Sequence, residues 1–244
     1  MTEAPGSRPG LPSFPYRRPG AALVVAVAGL LATVLVIGLA SSWRIALGGL
    51  PAWIASLVDI VLINLPMVLA VLVAHRLTGS PRVRVDRRAR LEARGIDVLL
   101  GLSLAVMMRG LVEVVAPTGG GLGGAVLDAD AVQAALALAV LVLGYVLVSP
   151  IVEEVFFRGL LQRSLAQVAG GSWLARVASI AVSTALFVFV HIGPLGVTAG
   201  WPVVVASVVV GVGCGALVAG TGRLTGAIVA HVGFNGSGVI LLLV

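Results

Sequence analysis

Seven long apolar runs, at about 20–40, 52–74, 96–116, 131–161, 175–195, 201–219 and 223–244, constrain this chain more than any other feature. A helix needs roughly 20 apolar residues to cross the hydrocarbon core of a bilayer, and every run is close to that length. In hydrocarbon each backbone N–H and C=O must find its partner within the protein, and for runs of this length the solution is a helix. The expected fold is therefore all-α, a polytopic transmembrane helical bundle of about seven spans. Composition agrees: 59% of residues are hydrophobic and 11% charged, with a mean hydropathy of +1.13, well away from soluble globular domains. The chain reads as a tail, residues 1–19, and one transmembrane domain, residues 20–244. The tail is rich in Pro, Gly and Arg and is expected to be a disordered cytoplasmic segment. The first run starts late and has no small-residue cleavage site with a polar exit after it, so it reads as a retained span, not a signal peptide.

The net charge of +6 comes from arginine alone on the basic side. Arginine at that density can mark nucleic-acid binding, but here the residues flank apolar runs and work as topology signals. Arg8, Arg17 and Arg18 precede the first run, seven arginines from Arg76 to Arg94 lie between the second and third, Arg163 and Arg176 follow the fourth, and Arg223 precedes the seventh. The alternate connections hold only Arg44 and the acidic pair Asp128 and Asp130. The count puts the N-terminus and the arginine-bearing ends in the cytoplasm of an integral membrane protein. The Gly119 to Gly124 stretch reads as an outer loop. Cys214, the one cysteine, lies in an apolar run and reads as a small buried hydrophobe.

Ionisable groups inside spans cost about 2.5–3.5 kcal/mol each at mid-helix, so each needs an account. Arg109 and Glu113 are spaced i, i+4 and read as a structural ion pair. Asp59 and Asn64 fit either a polar contact between helices or the wall of a watered cavity. The later runs carry something different. Glu154 and Arg158, Phe187 and His191, and His231 and Asn235 are all i, i+4 pairs on three separate helices, so three polar faces can point at one interior site. Two carboxylates and two imidazoles are an inventory for general base catalysis on water, or for holding a divalent metal. Taken singly, each residue reads as structural; gathered on separate helices within one stretch, they read as a site.

The pattern Glu153-Glu154-x-x-x-Arg158, Phe187-x-x-x-His191 and His231-x-x-x-Asn235 resembles the three-motif signature of the CPBP family, membrane proteins that include CAAX prenyl endopeptidases and bacteriocin-processing enzymes. The resemblance covers about 131–244, where the active site would lie between late helices. It implies an intramembrane endopeptidase that hydrolyses a peptide bond near the cytoplasmic half of the membrane. Carried over residue by residue, Glu153 would activate water, His191 would hold that water, and His231 and Asn235 would stabilise the oxyanion. Glu154 and Arg158 would shape and neutralise the site. The choice of Glu153 over Glu154 comes from the family; spacing favours neither. No HExxH motif is present, and a metal-free, glutamate-activated water is the preferred reading. Zinc remains the alternative cofactor, with His191, His231 and Glu153 as its ligands.

The partners expected are a membrane-associated peptide or protein substrate and the lipid bilayer, with no nucleic acid. Exclusive use of arginine fits a GC-rich bacterial coding bias and a bacterial plasma membrane, where prenylated proteins are not expected substrates. A non-catalytic scaffold or immunity protein and a proton-linked transporter are the competing functions; a transporter would carry inverted repeats, and the polar groups here sit in the second half only. Pro150 should free carbonyls that admit water. Gly211-x-x-x-Gly215 should let two helices pack closely. One distance resists the scheme: at ~1.5 Å per residue Glu154 and His231 lie about 12–14 Å from Arg163 and Arg223, but His191 lies about 22 Å beyond Arg176.

Overall fold

The computed structural model describes residues 16–78, 95–117, 131–192 and 200–243, and these residues form eight helices and no strand. They are α1 (Pro19–Gly38), the short α2 (Ala40–Ala46), α3 (Ala52–Thr78), α4 (Gly95–Val115), α5 (131–168), α6 (Trp173–Ile192), α7 (Trp201–Thr221) and α8 (Thr225–Leu243). All but α2 are long and apolar enough to cross a membrane, which gives the seven spans of an integral membrane protein. Most of the expected tail, the arginines from Arg82 to Arg94, the glycine-rich stretch 119–124, and Asp128 and Asp130 lie outside the described residues. Tyr16, which the expected tail included, is held in place: its hydroxyl donates to the Gly159 carbonyl at 3.0 Å, and the next residue, Arg17, bonds through its N–H to the Thr78 carbonyl.

Three pairs of helices pack along each other, α1 with α3, α4 with α8, and α6 with α7, while α5 runs between them and touches α1, α3, α6, α7 and α8. Small residues permit the close approaches. A Cβ on Gly101 of α4 would stand 2.6 Å from the Gly226 carbonyl of α8, so only glycine lets the two backbones meet there. Gly211 and Gly215 of α7 present the same absence to Thr184 and Ile180 of α6, as their spacing predicts.

Polar contacts tie the helix ends. At one end of the bundle Arg163 donates to the Gly222 carbonyl in the α7–α8 turn, and Arg223 forms an ion pair with Asp97 at the start of α4. With Tyr16 against Gly159 and Arg17 against Thr78, the starts of α1, α4, α6 and α8 and the ends of α3, α5 and α7 share this arginine-bearing end. At the opposite end Asp59 accepts from Trp43 Nε1 and from Arg44 Nε, both at 2.7 Å, while Asn64 donates to Ser149 Oγ at 2.9 Å. Asp59 and Asn64 are therefore polar contacts between elements.

Helix α5 alternates α and π winding, with π segments at Val142–Val148 and Glu154–Gln162 on either side of the short α turn Ser149–Glu153. Pro150 explains the first. Its ring crowds the carbonyl four residues back in an α-helix, and a widened turn relieves that clash. The Ser149 N–H bonds to the Gly144 carbonyl, five residues back. The next donor in that series would be Pro150, which has no N–H, so the Tyr145 carbonyl is left for another partner.

Candidate active site

That partner is Asn235. Its Nδ2 donates to the Tyr145 carbonyl at 2.9 Å, fixing the amide of α8 against the π segment of α5. The freed carbonyl expected from Pro150 thus takes a side-chain amide as its donor. Arg109 on α4 braces the same stretch of α8: Nη2 donates to the Phe234 carbonyl at 2.7 Å, Nε donates to Ser237 Oγ at 3.1 Å, and the guanidinium stacks 4.1 Å from the Phe234 ring centroid. Its expected ion pair with Glu113 is present, at 3.1 Å.

The two adjacent glutamates of α5 face different surroundings. Glu154 is fully buried, and its Oε1 lies 2.9 Å from both Arg158 Nη1 and His231 Nδ1. Nη1 stands off the hydrogen-bond direction, so that contact is an ion pair, whereas the His231 contact is a hydrogen bond. Arg158 is itself 1% exposed; its Nη2 donates to the carbonyls of Val210 and Gly211 on α7, and its plane covers the Phe187 ring at 4.7 Å. A charge pair is tolerable in hydrocarbon when its remaining donors meet backbone carbonyls, and Nη2 does so here. Glu153 is 15% exposed at its side chain and faces a cavity; its closest ion partner is His231 Nε2, at 3.8 Å from Oε2.

That cavity, about 290 Å³, is lined by Glu153, Tyr145 and Ser149 from α5, Phe187 and His191 from α6, Ser207 and Val210 among others from α7, and His231, Phe234 and Asn235 from α8. It can hold several waters, since each occupies ≈ 30 Å³ in the liquid. Of the residues singled out from sequence, Glu153, His191, His231, Asn235 and Phe187 line it, while Glu154 and Arg158 stand behind the wall. Sequence reading missed Tyr145, Ser149 and Ser207; a hydroxyl one helical turn before Glu153 was the available signal for Ser149.

Both histidines have their Nδ1 engaged. His191 Nδ1 is 2.8 Å from the Phe187 carbonyl, an acceptor only, and His231 Nδ1 meets a carboxylate. Each Nδ1 therefore carries a proton, which leaves Nε2 as the nitrogen available to the site. The zinc set fares less well. Among the described residues no three of His, Cys, Asp and Glu are grouped so as to hold a metal ion, so His191, His231 and Glu153 share a cavity without forming a metal centre.

The distance that resisted the sequence scheme has a simple resolution. Helix α5 continues past Arg163 to Val168, so α5 and the start of α6 project beyond the α7–α8 turn. Gln162 and Ile180 both flank Gly215 and share one level. From that level Glu153 is nine residues away and His191 eleven, a difference of two residues where the count from Arg163 and Arg176 gave a larger one. Arg176 was the wrong marker for where α6 enters the bundle.

A polytopic helical bundle with a carboxylate and two imidazoles around an intramembrane cavity defines a class: integral membrane proteins with a polar site suited to acid–base chemistry. Residues 135–237, which hold every one of those groups, match the family model described as Type II CAAX prenyl endopeptidase Rce1-like, and the resemblance to the CPBP family of intramembrane proteases is thereby borne out over the site-forming helices. No curated protein and no solved structure matches the chain.

Proposed function

We propose that this protein is an intramembrane endopeptidase in which Glu153 activates a water molecule for attack on a peptide bond. One observation carries the reading: of the two adjacent glutamates, the cavity receives Glu153, while Arg158 and His231 hold Glu154 in the wall. Glu153 is then free to take a proton from water held between its carboxylate and His191 Nε2. The water oxygen bonds to the carbonyl carbon, and the C=O electron pair moves to oxygen. Asn235 uses one Nδ2–H on Tyr145 and keeps the second for that oxyanion; a protonated His231 adds an Nε2–H beside it. The C–N bond breaks as Glu153 passes its proton to the leaving amine. No step is routed through a metal.

The arginine-bearing end of the bundle supports a cytoplasmic N-terminus, and the arginine-only basic composition supports a bacterial plasma membrane. Terminal proteomics on host membranes carrying either the intact protein or Glu153→Gln at matched expression tests the proposal. New peptide termini present only with the intact protein are expected. Identical termini, with both proteins folded, would overturn it.

A further inference from the structure

Among the described residues the cavity is closed on one side and open on the other, and the open side is unexpected. Most of the residues lining it lie beyond Glu153 in the direction away from the arginine-bearing end: Tyr145 and Ser149 precede Glu153 on α5, Val203, Ala206 and Ser207 precede Val210 on α7, and Asn235 follows His231 on α8. Toward the arginine-bearing end the space under Glu153 is filled. Glu154, Phe156, Phe157, Arg158, Leu160, Leu161 and Cys214 are each no more than 1% exposed. Arg158 closes on the Val210 and Gly211 carbonyls, and Gln162 donates to the Gly215 carbonyl at 3.0 Å. At the other extreme Tyr145 is 42% and Val203 38% exposed, on α5 and α7, and these two residues form the mouth.

We infer that substrate reaches Glu153 from the membrane face opposite the arginines, which by the charge bias is the outer face. The inference rests on the protease reading and differs from the expectation of a site served from the cytoplasmic half. It also defines the substrate class. Val203, Ala206, Val210 and Phe234 make most of the passage apolar. The substrate is an extended segment of a translocated or membrane-inserted peptide, with small apolar side chains beside the bond to be cut.

Cysteine labelling tests the direction. The natural Cys214 is fully buried, so the unsubstituted protein supplies a silent background. Val203→Cys marks the mouth and Ala169→Cys, in the α5–α6 turn, marks the arginine-bearing end. A membrane-impermeant maleimide added to intact spheroplasts is expected to modify Val203→Cys but not Ala169→Cys, with the reverse in inside-out vesicles. Modified Val203→Cys is expected to lose the termini that depend on Glu153. Labelling of both cysteines from one face, no labelling of Val203→Cys from either face, or full cleavage after modification would overturn the inference. The protease reading fails separately, through termini that do not respond to Glu153→Gln. Cleavage that depends on Glu153 with both cysteines on one face would sink the direction of access alone.

Discussion

Replacing Arg158 with methionine isolates what the buried pair contributes. The substitution keeps most of the apolar volume but leaves Glu154, fully buried, without its ion-pair partner and hydrogen-bonded to His231. Removing one member of a buried ion pair costs about 3–5 kcal/mol, because the remaining charge is stranded. The two carbonyl bonds to Val210 and Gly211 add little, since interhelical hydrogen bonds in membranes average about 0.6 kcal/mol. The stacking on Phe187 is desolvated and counts for up to about 2 kcal/mol, overlapping the first figure. The expected loss is therefore about 3–5 kcal/mol. Unfolding in mixed micelles with a rising fraction of denaturing detergent, followed by tryptophan fluorescence, reads it. The double variant Arg158→Met with Glu154→Met removes both charges and should recover about 2–3 kcal/mol relative to the sum of the single changes. A single loss below about 1 kcal/mol, as for an exposed pair, or strict additivity in the double variant, would refute the buried-pair account.

Three further outcomes follow from named contacts. Asn235→Ala removes both the donor to the Tyr145 carbonyl and the proposed oxyanion donor, so turnover should fall about 10²–10³-fold, with a stability loss of about 1–3 kcal/mol from the orphaned carbonyl, read by the same unfolding assay. Gly101→Ala places a methyl against the Gly226 carbonyl and should destabilise by about 1–3 kcal/mol, while Gly110→Ala, which meets open space, should be neutral or better. Asp97 raises the pKa of Arg223 through their hydrogen bond. A folded-state pKa raised above the unfolded one gives stability that is complete below the unfolded pKa and lost only in strong alkali, so the cost of Arg223→Gln should stay constant from about pH 6 to 9 in thermal melts.

Much of this architecture is legible in the chain because hydrocarbon permits few solutions: an apolar run of sufficient length becomes a helix, and i, i+4 polar pairs on late helices find one another. The partners of Asp59 and Asp97 were not legible, since Arg44 sits on a short helix of its own and Arg223 is 126 residues from Asp97, with no periodicity linking them. The division of labour between Glu153 and Glu154 depends on the rotation of α5, which its π segments set, and no spacing rule anticipates a nine-residue π segment. The His191 depth went astray for a related reason. Arginine marks the approximate end of a span, but α5 runs on past Arg163 to Val168, more than a helical turn, and α6 already starts at Trp173, before Arg176.

The central claim is that Glu153, and not Glu154, is the base. The most direct measurement compares the turnover and unfolding free energy of Glu153→Gln and Glu154→Gln in purified protein on a peptide carrying the cleavage sequence found by proteomics. The account predicts that Glu153→Gln loses about 10²–10⁴-fold in turnover with its stability unchanged, whereas Glu154→Gln is destabilised and keeps measurable turnover in the folded fraction. Turnover retained by Glu153→Gln and abolished in a fully stable Glu154→Gln would contradict it.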